Sequence, residues 1–303
     1  MTRVAVVGVG RMGRPMAGHI VRGGHDVAVF DADPALAAEV AAEVGARALT
    51  APEDFADREL IITMLPTSAI VAEALIGGGI AASLPAGALV VDMSSSNPAE
   101  TLETARRLAE RGVALVDAPV SGGVGGAVDG TLAIMLGGDD ATVAPALPVL
   151  ETMSRVIFRT GPVGSGHAMK ALNNVVAGAA TLAGFEALAA GRHYGLDERT
   201  MIDIWNHSTA RSFVTENVMA HHVATHTFDS GFPLPLYAKD VGVADALVRA
   251  AGIDAPVVAE VARGFAAALA ELGDVDHTRL WDLRAPEAAP ADDAPADSEG
   301  DAR

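Results

Sequence analysis

Six short runs rich in β-branched and aliphatic residues alternate with segments of helix length in the first half of the chain. The runs are RVAVV, DVAVFD, LIITML, ALVVDM, ALVDAPV and TLAIMLGG, at residues 3–7, 26–31, 60–65, 88–93, 114–120 and 131–138. Segments rich in Ala, Leu and Glu lie between them, for example at 34–46 and 98–111. Strand alternating with helix is typical of a parallel, doubly wound sheet. The sequence therefore predicts an α/β domain over residues 1–162.

The second half of the chain has a different pattern. After about residue 162 the strand-like runs stop, and Ala-rich stretches of helical character continue to about residue 283. We expect an all-helical domain over residues 163–284. Residues 285–303 combine Pro, Ala and acidic residues without any apolar period, which predicts a disordered acidic tail.

Composition excludes several classes of function. The 303 residues are 50% hydrophobic, enough for a sizeable core, and contain no cysteine, which excludes disulfides, thiolate zinc sites and cysteine nucleophiles. A net charge of -18 opposes binding to nucleic acid and to anionic lipid. The sequence shows neither a leader peptide nor a segment typical of a membrane span. We expect a soluble, cytoplasmic protein without a nucleic-acid or membrane partner.

A glycine-rich turn, GVGRMGRPMA, follows the first predicted strand and leads into the first predicted helix. In that setting glycines permit a tight turn and a close backbone approach to a pyrophosphate, whose charge the free amides of the helix begin to neutralise. The predicted cofactor-binding residues of this turn are Gly8, Gly10, Arg11, Met12 and Gly13. The turn predicts a Rossmann-like dinucleotide site.

Asp31 ends the second predicted strand, 23 positions after Gly8. A carboxylate there can accept hydrogen bonds from both hydroxyls of the adenosine ribose, and it repels a 2'-phosphate. Asp31 therefore predicts NAD as the cofactor, whereas Arg11 and Arg22 leave NADP possible. The alternative interpretation of these residues is a glycine turn that binds no cofactor, with Asp31 as a solvated surface residue.

Lys170 is the single charged side chain between Ala168 and Phe185, and Asn174 lies one helical turn after it. Residues four apart share a helix face, so both side chains can reach one target. Oxidation of an alcohol needs a group that takes the hydroxyl proton, and partial burial lowers the pKa of a lysine towards working pH. The alternative is a lysine whose stem lies on apolar surface while its ammonium group reaches water.

Two further segments carry candidate site residues. The loop DAPVSGGVGGAVDG, 117–130, follows a predicted strand and offers a hydroxyl and exposed amides, suited to a carboxylate, at Ser121, Gly122, Gly123, Gly125 and Gly126. A flexible linker is its alternative interpretation. The segment FPLPLYAKD, 232–240, ends in Lys239 and Asp240, which form either a surface ion pair or part of the closed site.

With these motifs the sequence resembles the β-hydroxyacid dehydrogenase family, which includes 3-hydroxyisobutyrate dehydrogenases and tartronate semialdehyde reductases. The resemblance covers residues 3–283 and rests on GVGRMGRPMA, DAPVSGGVGGA, GSGHAMKALNN and FPLPLYAKD. It implies a Rossmann-like domain, a helical C-terminal domain joined to it by a long helix, and a homodimer or homotetramer. It also implies an NAD-dependent dehydrogenase acting on a small β-hydroxy carboxylate or the matching semialdehyde.

The resemblance also assigns roles to individual residues. It implies that Lys170 is catalytic, with Asn174 as its partner at the substrate. Ser121, Gly122 and Gly123 would hold the substrate carboxylate. The implied contacts of the family outside the glycine turn are Leu65, Pro66 and Ser95 at the cofactor and Lys239 at both cofactor and substrate.

The segment 206–226 contains histidines and an arginine that we do not assign to this site. His222 and His226 have helical i, i+4 spacing, which metal sites also use, but no acid lies between them and no third ligand is evident. We therefore predict surface histidines and no metal. Arg211 is interpreted as a solvated arginine, with an anion-binding role as the alternative.

Three other functions remain open on the sequence. A module that binds the cofactor without chemistry is the rival from another class, although Lys170 and Asn174 are both present. An imine reductase shares the architecture but commonly has another proton donor at the lysine position. A 6-phosphogluconate dehydrogenase would need a larger helical domain with a basic cluster for phosphate.

Overall fold

The computed structural model describes residues 1–284, which divide into two compact units. The first unit comprises Met1–Val176 and Lys239–Val258, and the second comprises Ala177–Ala238 and the chain from Ala259 onward. These units are defined by contacts between backbone positions and do not test the predicted functional domains. The domain boundaries at residues 162 and 284 therefore stay predictions. The predicted acidic tail, 285–303, lies outside the described residues.

The first unit is built on one sheet. Its strands are β1 (Arg3–Val7), β2 (Asp26–Phe30), β3 (Arg47–Ala48), β4 (Leu60–Thr63), β5 (Leu89–Asp92), β6 (Ala114–Asp117), β7 (Val120–Ser121), β8 (Leu132–Gly137) and β9 (Ser154–Gly161). Strands β3, β2, β1, β4, β5 and β6 are parallel neighbours in that order. The predicted doubly wound parallel sheet is confirmed over these six strands.

One edge of the sheet departs from the predicted parallel arrangement. Strand β8 runs antiparallel to β6 and β7, and β9 then pairs parallel with β8. Only residues 122–131 connect β7 to β8, and a parallel crossover needs a dozen residues or more. The sequence analysis also missed β3, which has two residues, and β9, in which Arg155 and Arg159 interrupt the apolar run.

Alternating residues of the central strands belong to two separate hydrophobic clusters. Val4 and Val6 of β1 belong to a cluster with Met16 and Ile20, which lie on the first helix. Ala5 and Val7 of the same strand belong to the other cluster, which contains Phe55, Leu75 and Leu108. Because successive strand side chains point to opposite faces, a strand that is apolar at every position is buried on both.

Short helices connect the strands. They are α1 (Gly13–Arg22), α2 (Pro34–Val44), α3 (Ser68–Ala72), α4 (Ile80–Ser83), α5 (Pro98–Ala109), α6 (Gly123–Asp129), α7 (Asp140–Val143) and α8 (Leu147–Leu150). Helices α2 and α5 both begin with Pro at the first position after a capping residue, Asp33 or Asn97, whose side chain accepts backbone amide hydrogens. These local signals explain why both helices start where the sequence predicts.

The C-terminal half is helical, as predicted. Its helices are α9 (Ser165–His193), α10 (Glu198–Asn206), α11 (Leu234–Ala250) and α12 (Pro256–Leu272), with a π-helical segment at Val214–Val223 and a 3-10 segment at His277–Leu283. Helix α9 begins in the first unit and ends in the second. Within the second unit aromatic rings pack together, with Phe185 against Trp281 and Tyr237 against Phe265.

By length and composition alone, α9 could cross a membrane, in contrast to the expectation from the sequence. One such helix is weak evidence, because the core helix of a soluble protein has the same length and composition. In the structure 44% of its apolar window is buried inside the protein.

Replacing Ile62 by alanine tests the packing of the sheet. Ile62 lies on β4 and is fully buried, so the change should lower the free energy of unfolding by about 2–5 kcal/mol. Ile70 is 44% exposed, and Ile70→Ala should change it by no more than about 0.5 kcal/mol. Chemical denaturation of both variants measures the difference. Equal losses would contradict the described burial.

Candidate active site

The glycine-rich turn lies between β1 and α1. Gly8 has a φ of +89°, and its amide donates to the carbonyl of Phe30 over 2.8 Å. A Cβ at Gly8 would press on the carbonyl oxygen of Met64, and one at Gly13 would overlap the carbonyl oxygen of Gly8. Gly13 therefore permits the close approach of α1 to the end of β1, and Gly8 permits the close approach of the turn to the segment that follows β4.

The beginning of α1 has the properties of an anion site. Gly10 is exposed, and a Cβ there would have no atom within 4 Å, so the backbone is accessible to a ligand. The first turn of α1 contains no acidic side chain. Arg11 is exposed beside it, whereas the side chain of Met12 packs on the core, leaving its backbone for a ligand. These residues fit the pyrophosphate of a dinucleotide.

Asp31 follows β2 and is fixed by two backbone hydrogen bonds. Its Oδ2 accepts from the amide of Val9 at 2.9 Å, and its Oδ1 accepts from the amide of Asp33 at 3.0 Å. Each carboxylate oxygen can accept a second hydrogen bond. The side chain is half-buried beside the glycine turn, which suits recognition of a ribose.

Lys239 joins the loops that follow β4 and β5. Its ammonium nitrogen donates to the carbonyl oxygen of Pro66 at 3.1 Å, and it also donates to the carbonyl of Ser95. The same nitrogen lies 3.1 Å from Oδ1 of Asp240. Three residues that the sequence analysis predicted at the cofactor are thus brought together, with Leu65 adjacent to Pro66.

Lys170 lies on α9 and is partly buried. Loss of hydration lowers the pKa of its ammonium group below the ordinary 10.5. The carboxylate of Asp240 opposes this shift in the pKa of Lys170, and the positive charge of Lys239 adds to it. A lysine whose pKa is lowered in this way is suited to accept and return a proton.

Asn174 lies one turn after Lys170 on the same helix and is 6% exposed. Its Nδ2 donates to Oδ2 of Asp240 at 2.6 Å, and its Oδ1 accepts from Nδ2 of Asn173 at 3.1 Å. Asp240 is therefore in contact with both Asn174 and Lys239 and also influences Lys170. The sequence analysis interpreted Asp240, together with Lys239, as either a surface ion pair or part of the closed site, and it did not predict the contact of Asp240 with Asn174.

The beginning of α9 is held by a side chain from another element. Asp117, the last residue of β6, accepts from the amide of Gly164 at 2.7 Å and from the amide of His167 at 2.8 Å. A Cβ at Gly166 would collide with the carbonyl oxygen of Met135 and approach Asp117. Ser165, the first residue of α9, does not supply these contacts: its hydroxyl pairs with that of Thr160, and the carboxylate of Asp117 accepts from the amides at the start of the helix.

A second buried aspartate, Asp92, ends β5. Its Oδ1 accepts from the hydroxyl of Thr63 at 2.8 Å and the amide of Ser94 at 3.0 Å, and its Oδ2 accepts from the hydroxyl of Ser96 at 2.7 Å. The hydroxyl of Ser94 in turn accepts from the amide of Leu65 at 2.9 Å. Sequence reasoning missed Asp92 and Asp117, although each is an acid at the end of a strongly apolar strand.

The segment 117–130, predicted as a loop, contains β7 (Val120–Ser121) and α6 (Gly123–Asp129), so the three candidate carboxylate-binding residues span the junction of these two elements. Ser121 is half-buried on β7, and Gly122 and Gly123 are exposed with φ values of +130° and +60°. The exposed backbone is compatible with an anion, and its relation to Lys170 stays a prediction.

Candidates from the segment 206–226 lie in the second unit. His222 pairs with Asp229 at 2.7 Å, and Arg211 pairs with Glu216 at 2.6 Å. His226 follows the π-helical segment, with a φ of +55°, so the two histidines do not share a regular helix face. Among residues 1–284 no group of three or more His, Cys, Asp or Glu side chains is placed to hold a metal.

Two family models together span nearly the whole described chain. Residues 3–161 match the model described as the NAD binding domain of 6-phosphogluconate dehydrogenase. Residues 164–283 match the model described as NAD-binding of NADP-dependent 3-hydroxyisobutyrate dehydrogenase.

Similar proteins carry names of the same class. A 2-(hydroxymethyl)glutarate dehydrogenase of Eubacterium barkeri is 37% identical and aligns over 85% of this chain and 86% of its own. A probable 3-hydroxyisobutyrate dehydrogenase of Mycobacterium bovis is 35% identical, over 92% of this chain and 97% of its own. The solved structure of the Mycobacterium tuberculosis 3-hydroxyisobutyrate dehydrogenase with L-serine has a TM-score of 0.85 at 33% identity, over 94% of this chain and 100% of that one. The chain therefore belongs to the β-hydroxyacid dehydrogenase family and is an NAD(P)-dependent hydroxyacid dehydrogenase.

Proposed function

We propose that this dehydrogenase oxidises a small β-hydroxy carboxylate of the 3-hydroxyisobutyrate type to its semialdehyde, or catalyses the reverse reduction, with Lys170 exchanging the hydroxyl proton. The observation that carries the proposal is the partly buried Lys170, whose pKa is lowered and whose helix also presents Asn174. The names of the relatives support the substrate class.

The proposed steps use the chain's own groups. Neutral Lys170 accepts the hydroxyl proton from the substrate, while NAD, when bound, supplies the hydride acceptor. Asn174, held by Asp240, orients the substrate oxygen, and Ser121, Gly122 and Gly123 bind the substrate carboxylate. In the reverse direction protonated Lys170 returns the proton to the carbonyl oxygen. Positioning of the substrate supplies much of the remaining rate.

The proposed cofactor contacts follow from the first unit. Gly8, Gly10, Arg11, Met12 and Gly13 would hold the pyrophosphate, and Asp31 the adenosine ribose. Leu65, Pro66 and Ser95 would line the nicotinamide side, with Lys239 linking their loops. Asp31 supports NAD over NADP, because its charge would repel a 2'-phosphate.

Three further properties belong to the same proposal. We infer residues 1–162 as the NAD domain and 163–284 as the substrate and dimerisation domain. We expect a homodimer or homotetramer located in the cytoplasm, without nucleic acid, membrane or metal. The support is the family assignment together with the acidic composition.

Lys170→Ala should lower the oxidation rate by about 10²–10⁴-fold, the range that a general acid or base supplies. The substrates to compare are 3-hydroxyisobutyrate, 2-(hydroxymethyl)glutarate, glycerate, threonate, 3-hydroxypropionate and L-serine. The measurement is the formation of reduced cofactor, together with NAD binding by fluorescence, which should be retained. Near-normal turnover in the variant would refute the role of Lys170.

Adding tartronate semialdehyde and cyclic imines, assayed in the direction of reduction, to this panel distinguishes the other functions. Activity on tartronate semialdehyde in preference to the hydroxy acids would favour a reductase of that type. Turnover of cyclic imines alone would favour an imine reductase. NAD binding without any turnover would favour a module that only binds the cofactor.

The pH at which the oxidation rate rises should depend on the charges around Lys170. Oxidation requires the neutral amine, so its rate should rise with pH through the pKa of Lys170. Asp240→Asn removes a charge that raises this pKa and should move the rising limb to lower pH. Lys239→Gln removes a charge that lowers it and should move the limb to higher pH.

The measurement is the pH profile of kcat at saturating cofactor. Asp245→Asn, on the same helix but paired with Arg249, serves as the control and should leave the profile in place. Shifts of the same sign in the Asp240 and Lys239 variants would argue against these charge effects.

Asp31→Ser should reduce the preference for NAD. Loss of hydrogen bonds to a charged acceptor should lower kcat/KM for NAD roughly tenfold, and loss of repulsion should raise kcat/KM for NADP. Asp33→Ser is a matched control, because Ser can still cap α2. An unchanged ratio of the two kcat/KM values would exclude Asp31 as the selecting residue.

A further inference from the structure

The imidazole of His167 is buried between the two aspartates that end β5 and β6. His167 is 1% exposed, and its backbone amide is already bound by Asp117. Its Nε2 lies 3.7 Å from Oδ2 of Asp92, and its Nδ1 lies 3.8 Å from Oδ2 of Asp117. Within residues 1–284 no Lys or Arg ion pair involves either carboxylate. The ring is thus the ionisable nitrogen partner that Asp92 and Asp117 share.

One of the two ring nitrogens of His167 has a hydrogen-bond partner among the described residues, and the other has none. Nδ1 lies 2.8 Å from the hydroxyl of Thr101 on α5, whereas Nε2 is buried without a hydrogen-bond partner in the described residues. A buried polar atom of this kind usually reflects a particular role. A carboxylate only accepts hydrogen bonds, so a hydrogen on Nε2, directed at Asp92, fits the arrangement best. The single hydroxyl hydrogen of Thr101 is then directed at Nδ1 rather than at the carbonyl oxygen of Asn97, 3.0 Å away, which already accepts from the amide of Thr101.

Both residues of this contact, His167 and Asp92, are connected to the proposed site. On one side His167 lies three residues before Lys170 on α9, so the two are neighbours along one face of the first helical turns. On the other side Asp92 fixes Ser94, whose hydroxyl accepts from the amide of Leu65 in the proposed cofactor loop. A shift of the ring relative to Asp92 would move the lysine relative to that loop.

We propose that His167 is a positioning residue, which holds the helix that carries Lys170 in register with the cofactor loop through contact of its Nε2 with Asp92. This inference rests on the proposed role of Lys170 for its effect on turnover. Its effect on the cofactor loop is independent of that role, so NAD binding supplies a separate readout.

Two substitutions separate this contact from simple packing. His167→Gln places an amide nitrogen near the position of Nε2 and retains a donor for Asp92. His167→Asn is shorter, so it retains a polar group near Thr101 but does not reach Asp92. If the ring only pairs with Thr101, Asn should function at least as well as Gln. If the ring only fills space, His167→Met, which is close to Gln in volume but has no hydrogen-bond donor, should function as well as Gln.

We expect His167→Asn to lower kcat at least roughly tenfold, within the range that a misplacement of about 1 Å produces. The Kd for NAD, measured by fluorescence, should rise roughly fivefold, because the cofactor loop is held less firmly. His167→Gln should keep both values within roughly threefold of the unsubstituted enzyme. His25→Asn replaces a half-buried histidine that accepts from the amide of Thr2, and should change neither value.

The outcomes are distinct when Lys170→Ala is measured beside them. Loss of kcat and NAD affinity in the Asn variant, with rescue by Gln, supports the proposal. Equal behaviour of the Asn and Gln variants, or losses that merely follow their thermal stability, overturns it. An active Lys170→Ala refutes the proposed catalytic role, and the Kd values for NAD then still decide whether His167 positions the cofactor loop.

Discussion

The hydrogen bonds that Asp117 accepts from backbone amides at the start of α9 connect the sheet to the helix that carries the candidate catalytic residues. The first amides of a helix have no partner within the helix, and a buried pair of them needs an acceptor from elsewhere. The carboxylate of Asp117 accepts from two of them, at Gly164 and His167. Gly166 permits the close approach that these bonds require. The position of Lys170, one turn further on, depends on this junction.

The electrostatic setting of Lys170 is a balance of opposing effects on its pKa. Burial and the charge of Lys239 lower the pKa, and Asp240 raises it. Asp240 also accepts a hydrogen bond from the amide of Asn174. One carboxylate therefore both raises the pKa of Lys170 and orients the side chain of Asn174. Lys239 in turn binds the carbonyls of Pro66 and Ser95. A bound dinucleotide near these carbonyls would therefore be linked to the charge around Lys170.

The two ends of the candidate cofactor site are organised by different means. At the adenosine end, local backbone geometry suffices, because Asp31 is fixed by the amides of Val9 and Asp33. At the other end the loop geometry depends on Asp92, which is buried and accepts three hydrogen bonds from neighbouring polar groups. Such a satisfied network favours one arrangement of the loop, since breaking any bond leaves a buried polar group without a partner.

The sequence by itself determined the doubly wound sheet, the glycine turn, the position of Asp31 after the second strand, and the placement of Lys170 and Asn174 on one helix. These features follow from local rules: strand and helix periodicity, the steric freedom of glycine, and the i, i+4 spacing of a helix face. Only the tertiary structure decided the antiparallel direction of β8, the capping of α9 by Asp117, and the placement of His167 beside Asp92. Each of these joins residues far apart in the chain through burial and hydrogen bonding, and no local pattern specifies which distant acid will accept from a given amide.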